Sequence, residues 1–297
     1  MRIIQFAALS VVVAFSGVAR GAMGADQPPL PALEMLEVPG SNQTRANGIS
    51  PTGDITGLYI SGGINHGFVY DQNGYTTLDV PGALHTQLQK SSPTGDAIGF
   101  CQLVAGIMRG FHYSRNRGTF EFIDYPESTQ TTPWGMNAQG DIVGGYADTA
   151  LNNHAFLLEA GTFINIDVPG AFASTALDIN SSGDIVGRYT EIRGGTSRMF
   201  LRTRHGDYRS IDVPGAVFTG NPGFPGGIND TGEIVGMYQD GDDLKVRGFL
   251  LDASGFHVID VPNTLYTAAA GIDNHGNIVG RHRVTGSGRD TGFLLRR

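Results

Sequence analysis

One motif constrains this chain more than any other. Gly-Asp-Ile-Val-Gly, or a near variant, begins at Gly53, Gly95, Gly140, Gly183, Gly232 and Gly276. The spacings are 42, 45, 43, 49 and 44 residues, so a unit of about 45 residues recurs six times. Two further elements keep step with it. An aromatic one recurs as His66-Gly67-Phe68, Arg109-Gly110-Phe111, His154-Ala155-Phe156, Arg198-Met199-Phe200, Arg247-Gly248-Phe249 and Thr291-Gly292-Phe293. The other, Asp-Val-Pro-Gly or a variant, starts at Asp79, Asp124, Asp167, Asp212 and Asp260, and its sixth copy is Glu37-Val38-Pro39-Gly40, at the front of the chain. A fixed period of this size marks a solenoid or a propeller.

Each unit reads as four short strands. In the third unit these are Thr132 to Asn137, Asp141 to Tyr146, His154 to Leu158 and Phe163 to Val168. The second and third are apolar on both faces, as suits strands packed between sheets. The fourth alternates, as suits an outer strand with one wet face, and Pro169 ends it because proline cannot donate to a ladder. The 44 glycines argue against helices, since each interior glycine costs about 1 kcal/mol against alanine. The sixth unit lacks its outer strand, and Leu33 to Val38 supplies one from the N-terminal end. The expected fold is all-β, a six-bladed propeller with four strands per blade, closed by that N-terminal strand. Its blades fall near residues 41–82, 83–127, 128–170, 171–215, 216–262 and 263–297 plus 33–40. A linear solenoid is the alternative, but no capping units are visible.

The repeat resembles the bacterial extracellular HAF-type family, named for a His-Ala-Phe motif present here as His154-Ala155-Phe156. The resemblance covers about residues 33–297 and implies an exported repeat protein, with no activity transferable to individual residues. The N-terminus independently points to export. Arg2, an apolar run from Ile3 to Val18 and the small residues of Ala22-Met23-Gly24 form a signal peptide over 1–24, followed by a linker over 25–32. No second apolar stretch of membrane length follows, so no membrane span is expected in the mature form. The expected location is periplasmic or secreted.

Composition excludes several partners. The formal charge is −8, about −10 once Arg2 and Arg20 are removed. Only two lysines occur, Lys90 and Lys245, and no basic cluster is present to neutralise phosphates. Nucleic acid and anionic membranes are therefore not expected partners. One cysteine, Cys101, allows no internal disulfide. The chain is expected to be a monomer.

Repetition sorts the polar residues, because a blade-building residue appears in every copy while a chemical site is needed once. His66 and Asp79 flank the Asp71 to Gly74 turn symmetrically and should face each other. The same arithmetic pairs Arg109 with Asp124, His154 with Asp167, Arg198 with Asp212, Arg247 with Asp260, and Thr291 with Glu37. These read as structural cross-strand pairs. Candidate function lies where the repeat breaks. One inner-strand position is glycine in four units (Gly48, Gly135, Gly227, Gly271) but Lys90 and Asp178 in the other two. A neighbouring position holds Trp134, the sole tryptophan. Gln87, Gln89, Lys90, Trp134 and Asp178 form the candidate ligand site, on the face carrying the fourth-to-first and second-to-third strand connections. If the protein is an enzyme, His85, Lys90 and Asp178 are the catalytic candidates. No nucleophile elbow, phosphate loop or zinc motif is present. No cofactor is expected. Asp240, Asp242 and Asp243 are the one weak calcium candidate. The expected function is a binding or interaction module for a glycan, small ligand or protein at the channel mouth, with a hydrolase or lyase as the alternative.

Overall fold

The computed structural model describes residues 32–297 apart from Ala105 and Pro222. The expected signal peptide, and all but the last residue of the expected linker, lie outside the described residues. Every regular element among the described residues is a β-strand, and the fold is an all-β propeller.

The Gly-Asp motif builds the turn between the first and second strands of each unit. Its six leading glycines have φ between +81° and +91°, a conformation that costs an L-residue roughly 1–2 kcal/mol. In the third unit Gly140 donates to the Asn137 carbonyl, and Asn137 Oδ1 accepts from the amides of Gln139 and Asp141. The closing glycine of the motif has a different task. Gly57, Gly99, Gly144, Gly187, Gly236 and Gly280 lie directly across the ladder from Phe68, Phe111, Phe156, Phe200, Phe249 and Phe293. A Cβ on any of these glycines would come within 3.0 Å of that ring. The two motifs are therefore one device, in which a missing side chain makes room for a phenylalanine that is at most 1% exposed in every unit.

The expected cross-strand pairs form. His66 Nδ1 meets Asp79 at 2.7 Å and His154 Nδ1 meets Asp167 at 2.6 Å. Arg109 and Arg247 bind Asp124 and Asp260, Arg198 reaches Asp212 at 4.0 Å, and Thr291 donates to Glu37. In the third unit the outer strand is Thr162–Asn165 and ends three residues earlier than expected. Asp167 explains the shortening: its Oδ1 accepts from the Ala155 amide, so a carboxylate replaces the main-chain carbonyl the ladder would have used. A further repeated bond ties each outer strand to the next unit. The amides of Val38, Val80, Tyr125, Val168, Val213 and Val261 donate to the hydroxyls of Thr44, Thr86, Thr131, Ser174, Thr219 and Thr267.

Four sheets have four strands each, antiparallel and in chain order. Their inner strands are Gln43–Ile49, His85–Ser91, Gln130–Met136 and Ala173–Ile179. The remaining strands differ from the expected separate blades, because they form one nine-stranded sheet. A single parallel bridge, Val246 to Tyr266, joins strand Val246–Asp252 to strand Thr264–Ile272. Within it the fifth unit's inner strand is broken into Ala216–Thr219 and Gly227–Ile228. The break coincides with the longest repeat spacing, where Gly220 and Gly223 take φ of +77° and +82°. Leu33–Leu36 pairs antiparallel with Asp290–Leu295, so the N-terminal strand completes the C-terminal sheet as expected. At the axis, Gly48, Gly135, Gly227 and Gly271 each approach the same position of a neighbouring unit. A Cβ on Gly227 would lie 3.0 Å from the Gly271 Cα, and one on Gly271 would lie 3.1 Å from the Gly48 Cα.

Candidate functional site

The strand order gives the molecule two unlike faces. The turn face carries the first-to-second and third-to-fourth connections, and the loop face carries the other two. Among the described residues fourteen large apolar side chains are exposed, and eleven lie on or beside loop-face connections. Every second-to-third connection has at least one: Ile64, Val104, Leu151, Ile192, Leu244 and Val284.

The expected site residues separate into three places. Lys90 and Asp178 meet at the axis, with Nζ 2.7 Å from Oδ2. They are 7% and 2% exposed. Ile228 N also donates to Oδ2, while Oδ1 has no partner. Burial raises the Asp178 carboxyl above its ordinary value, against the opposing pull of Lys90. Lys90 borders an axial cavity of about 20 Å³ at the turn-face end, lined by residues of all six repeats. That volume is about one water. Gln89, adjacent in sequence to Lys90, is buried with Oε1 unpaired. Second, His85 Nδ1 accepts from the Asn65 amide, and Gln87 is half-buried on the same strand.

Trp134 lies elsewhere, in a cleft of about 390 Å³ between the third and fourth sheets on the loop face. Its indole donates to Thr132 and packs against Phe100 at 5.5 Å between ring centres. Arg188 lies over the ring, its guanidinium 5.8 Å from the indole centre. Arg188 Nη1 is shielded from solvent without a hydrogen-bond partner, as is Ser197 Oγ. Sequence reasoning passed over Arg188, but a signal was there. Five residues after the motif glycine the units carry Leu58, Phe100, Gly145, Arg188, Met237 and Arg281. Gly145 lets the third and fourth sheets approach, since a Cβ there would lie 3.1 Å from Thr175 Cγ2, and Arg188 supplies the charge.

The acidic run is already engaged. Arg247 binds Asp240 at 3.0 Å and Asp243 at 2.6 Å, and its hydrogen bond pulls Asp243 down to about 2. Among the described residues no group of three His, Cys, Asp or Glu is arranged to hold a metal ion. The Gly-Asp aspartates serve turns, as where Asp96 accepts from Arg115 N and Asp184 from Arg204 N. Cys101 is buried and its thiol is pushed up to about 11 by desolvation. Among the described residues no helix is long and apolar enough to cross a membrane, which says nothing of β-barrels.

Residues 163–288 match a family described as "Protein of unknown function (DUF3466)". The HAF-type resemblance finds no support in that match. No curated protein matches the chain. Among solved structures the chain is similar to a TolB-type protein from Agrobacterium tumefaciens, with TM-score 0.57, 15% identity, and coverage of 86% of this chain and 90% of that one. It is similar to TolB from Acinetobacter baumannii at 0.53 and 10%, over 85% of this chain and 54% of that one. It is also similar to a mutant of AofleA from Arthrobotrys oligospora at 0.51 and 12%, over 89% and 86%. At such identities the likeness establishes the fold alone.

Proposed function

We propose that the protein is an exported binding module that presents its loop face to a glycan, small ligand or protein. The nine-stranded sheet is two blades joined edge to edge, so residues 33–297 are one six-bladed propeller behind a signal peptide over 1–24. The observation that carries the reading is the asymmetry of exposed apolar surface. Scattered exposed aliphatics need no explanation, but a concentration on one face marks an interaction surface. The hydrolase or lyase alternative has no comparable support: Lys90 and Asp178 neutralise each other beside a cavity too small for a substrate.

Residues 26–297 should be screened on glycan arrays, by thermal shift with small ligands, and by cross-linking in an extract of the source cells. The variant Leu151→Ser/Ile192→Ser/Leu244→Ser changes only exposed positions and should weaken whatever binds. Binding that is unaffected by this variant refutes the face assignment, and absence of any ligand or partner refutes the reading altogether.

A further inference from the structure

We infer that the cleft between the third and fourth sheets is a binding site for an acidic saccharide, with Arg188 holding the carboxylate of a hexuronic acid ring and Trp134 stacking on the ring. The inference deepens the binding-module reading and rests on it only for the choice of face.

Charge is the first argument. In a protein of net charge −8, the one charged side chain lining this cleft is cationic. Desolvation lowers Arg188 to about 10, which still leaves it protonated at neutral pH. Among the described residues it makes no ion pair. Arg188 is half-buried with Nη1 shielded and unpartnered, an arrangement that is costly and that an arriving anion would relieve. The blade does not need an arginine there, since leucine, phenylalanine, glycine and methionine stand at the same repeat position in Leu58, Phe100, Gly145 and Met237. Arg281 is the instructive contrast. It occupies that position in the sixth unit, yet it donates to the Gly223 carbonyl and lies over the Phe224 ring at 4.0 Å. Arg281 thus has a carbonyl acceptor and a close ring, though its Nε is unpartnered, whereas Arg188 has only the Trp134 ring at 5.8 Å and no protein acceptor.

Shape and polarity are the second argument. A cleft of about 390 Å³ falls within the range of small-ligand sites. It offers a flat indole on one side. Hydroxyl and amide groups of Gln130, Asn153, Thr175 and Ser197 surround it, and Ser197 Oγ is unpaired. A ring that bears both hydroxyls and a carboxylate matches this lining. A bare inorganic anion leaves the indole unused, and an aromatic acid leaves the hydroxyl partners unused.

Trp134 is the only tryptophan, so its emission reports on this cleft and no other place. Titration of residues 26–297 with methyl glucuronide should perturb that emission and saturate. Methyl glucoside should need at least about tenfold higher concentration, because a charge-assisted bidentate contact is lost. Arg188→Met should erase that ratio. The variant should fold, since Met237 fills the equivalent position, and its thermal unfolding serves as the check. Equal response to the two sugars, a ratio that survives Arg188→Met, or tighter binding of benzoate or sulfate than of the glucuronide overturns the inference. If a loop-face partner is found while the glucuronide leaves the emission unchanged, the saccharide assignment falls and the binding-module reading stands. If the glucuronide binds as expected but nothing requires the loop aliphatics, the saccharide assignment stands and the argument from exposed apolar surface falls.

Discussion

Replacing Lys90 by methionine tests whether the axial ion pair is as dry as it looks. Asp178 Oδ2 takes Lys90 Nζ at 2.7 Å and Ile228 N at 3.1 Å, and Oδ1 takes nothing. Lys90→Met leaves a carboxylate that is 2% exposed with one main-chain donor. Breaking a buried pair from one side costs about 3–5 kcal/mol, or roughly 6–10 °C in Tm for a chain of this size. Adding Asp178→Asn removes the stranded charge and should recover about 2 kcal/mol of that loss. The pH dependence has a fixed sign. An acid whose folded pKa is raised binds its proton more tightly folded than unfolded, so it subtracts stability as pH rises from the unfolded value through the folded one. Asp178 is already raised by burial, and loss of Lys90 raises it further. The variant should therefore be worst at neutral pH and should approach the parent on acidification. Urea unfolding followed by Trp134 emission at several pH values measures this. A loss under 1 kcal/mol, or one independent of pH, refutes the picture of a water-poor axis.

Gly144→Ala should cost about 1–3 kcal/mol by overpacking, because its Cβ would meet both Phe156 and the Thr132 carbonyl; Phe156→Leu in the same chain should recover part of it in a thermal melt. At His154, burial pulls the pKa down, but Asp167 and Asp148 outweigh it and the net shift is upward. That stabilisation is present below the unfolded value and fades as pH rises through the folded one, so His154→Gln should flatten the stability profile in that window. Thr86→Val leaves the buried Val80 amide without its acceptor and should cost about 1–3 kcal/mol in chemical unfolding. Deleting residues 26–40 removes the strand that covers Asp290–Leu295, with Leu36 only 1% exposed. A melting curve unchanged by that deletion refutes closure by the N-terminal strand.

Most of the fold is legible in the sequence because it is written six times. A turn glycine with positive φ, a glycine facing a phenylalanine, and an acid facing a cation all follow from local chemistry, and repetition averages out the noise of any one copy. What the sequence hid follows from contacts that repetition does not encode. The parallel bridge between Val246 and Tyr266 depends on how two edges happen to lie. The separation of Trp134 from Lys90 and Asp178 arises instead at adjacent inner-strand positions, where the same register shift recurs in the first four units. These residues sit within a few positions of one another in the repeat frame, but Lys90 and Asp178 lie at the turn-face end of the axis and Trp134 opens toward the loop face.

The two departures from the repeat also differ in kind, and the difference decides which one can bind. At the glycine position the exceptions come as a pair of opposite sign, and they cancel across 2.7 Å. Such a pair satisfies itself and leaves nothing for a ligand to complete. At the position five residues after the motif glycine the exceptions are both arginines, Arg188 and Arg281. One is answered by Gly223 and Phe224. The other has no acceptor in the protein and lines an open cleft, with the Trp134 ring 5.8 Å away. A departure from a repeat that the protein balances internally is architecture. A departure left unbalanced beside an opening has to be completed from outside, and on that ground Arg188 rather than Lys90 or Asp178 is the residue to test for binding.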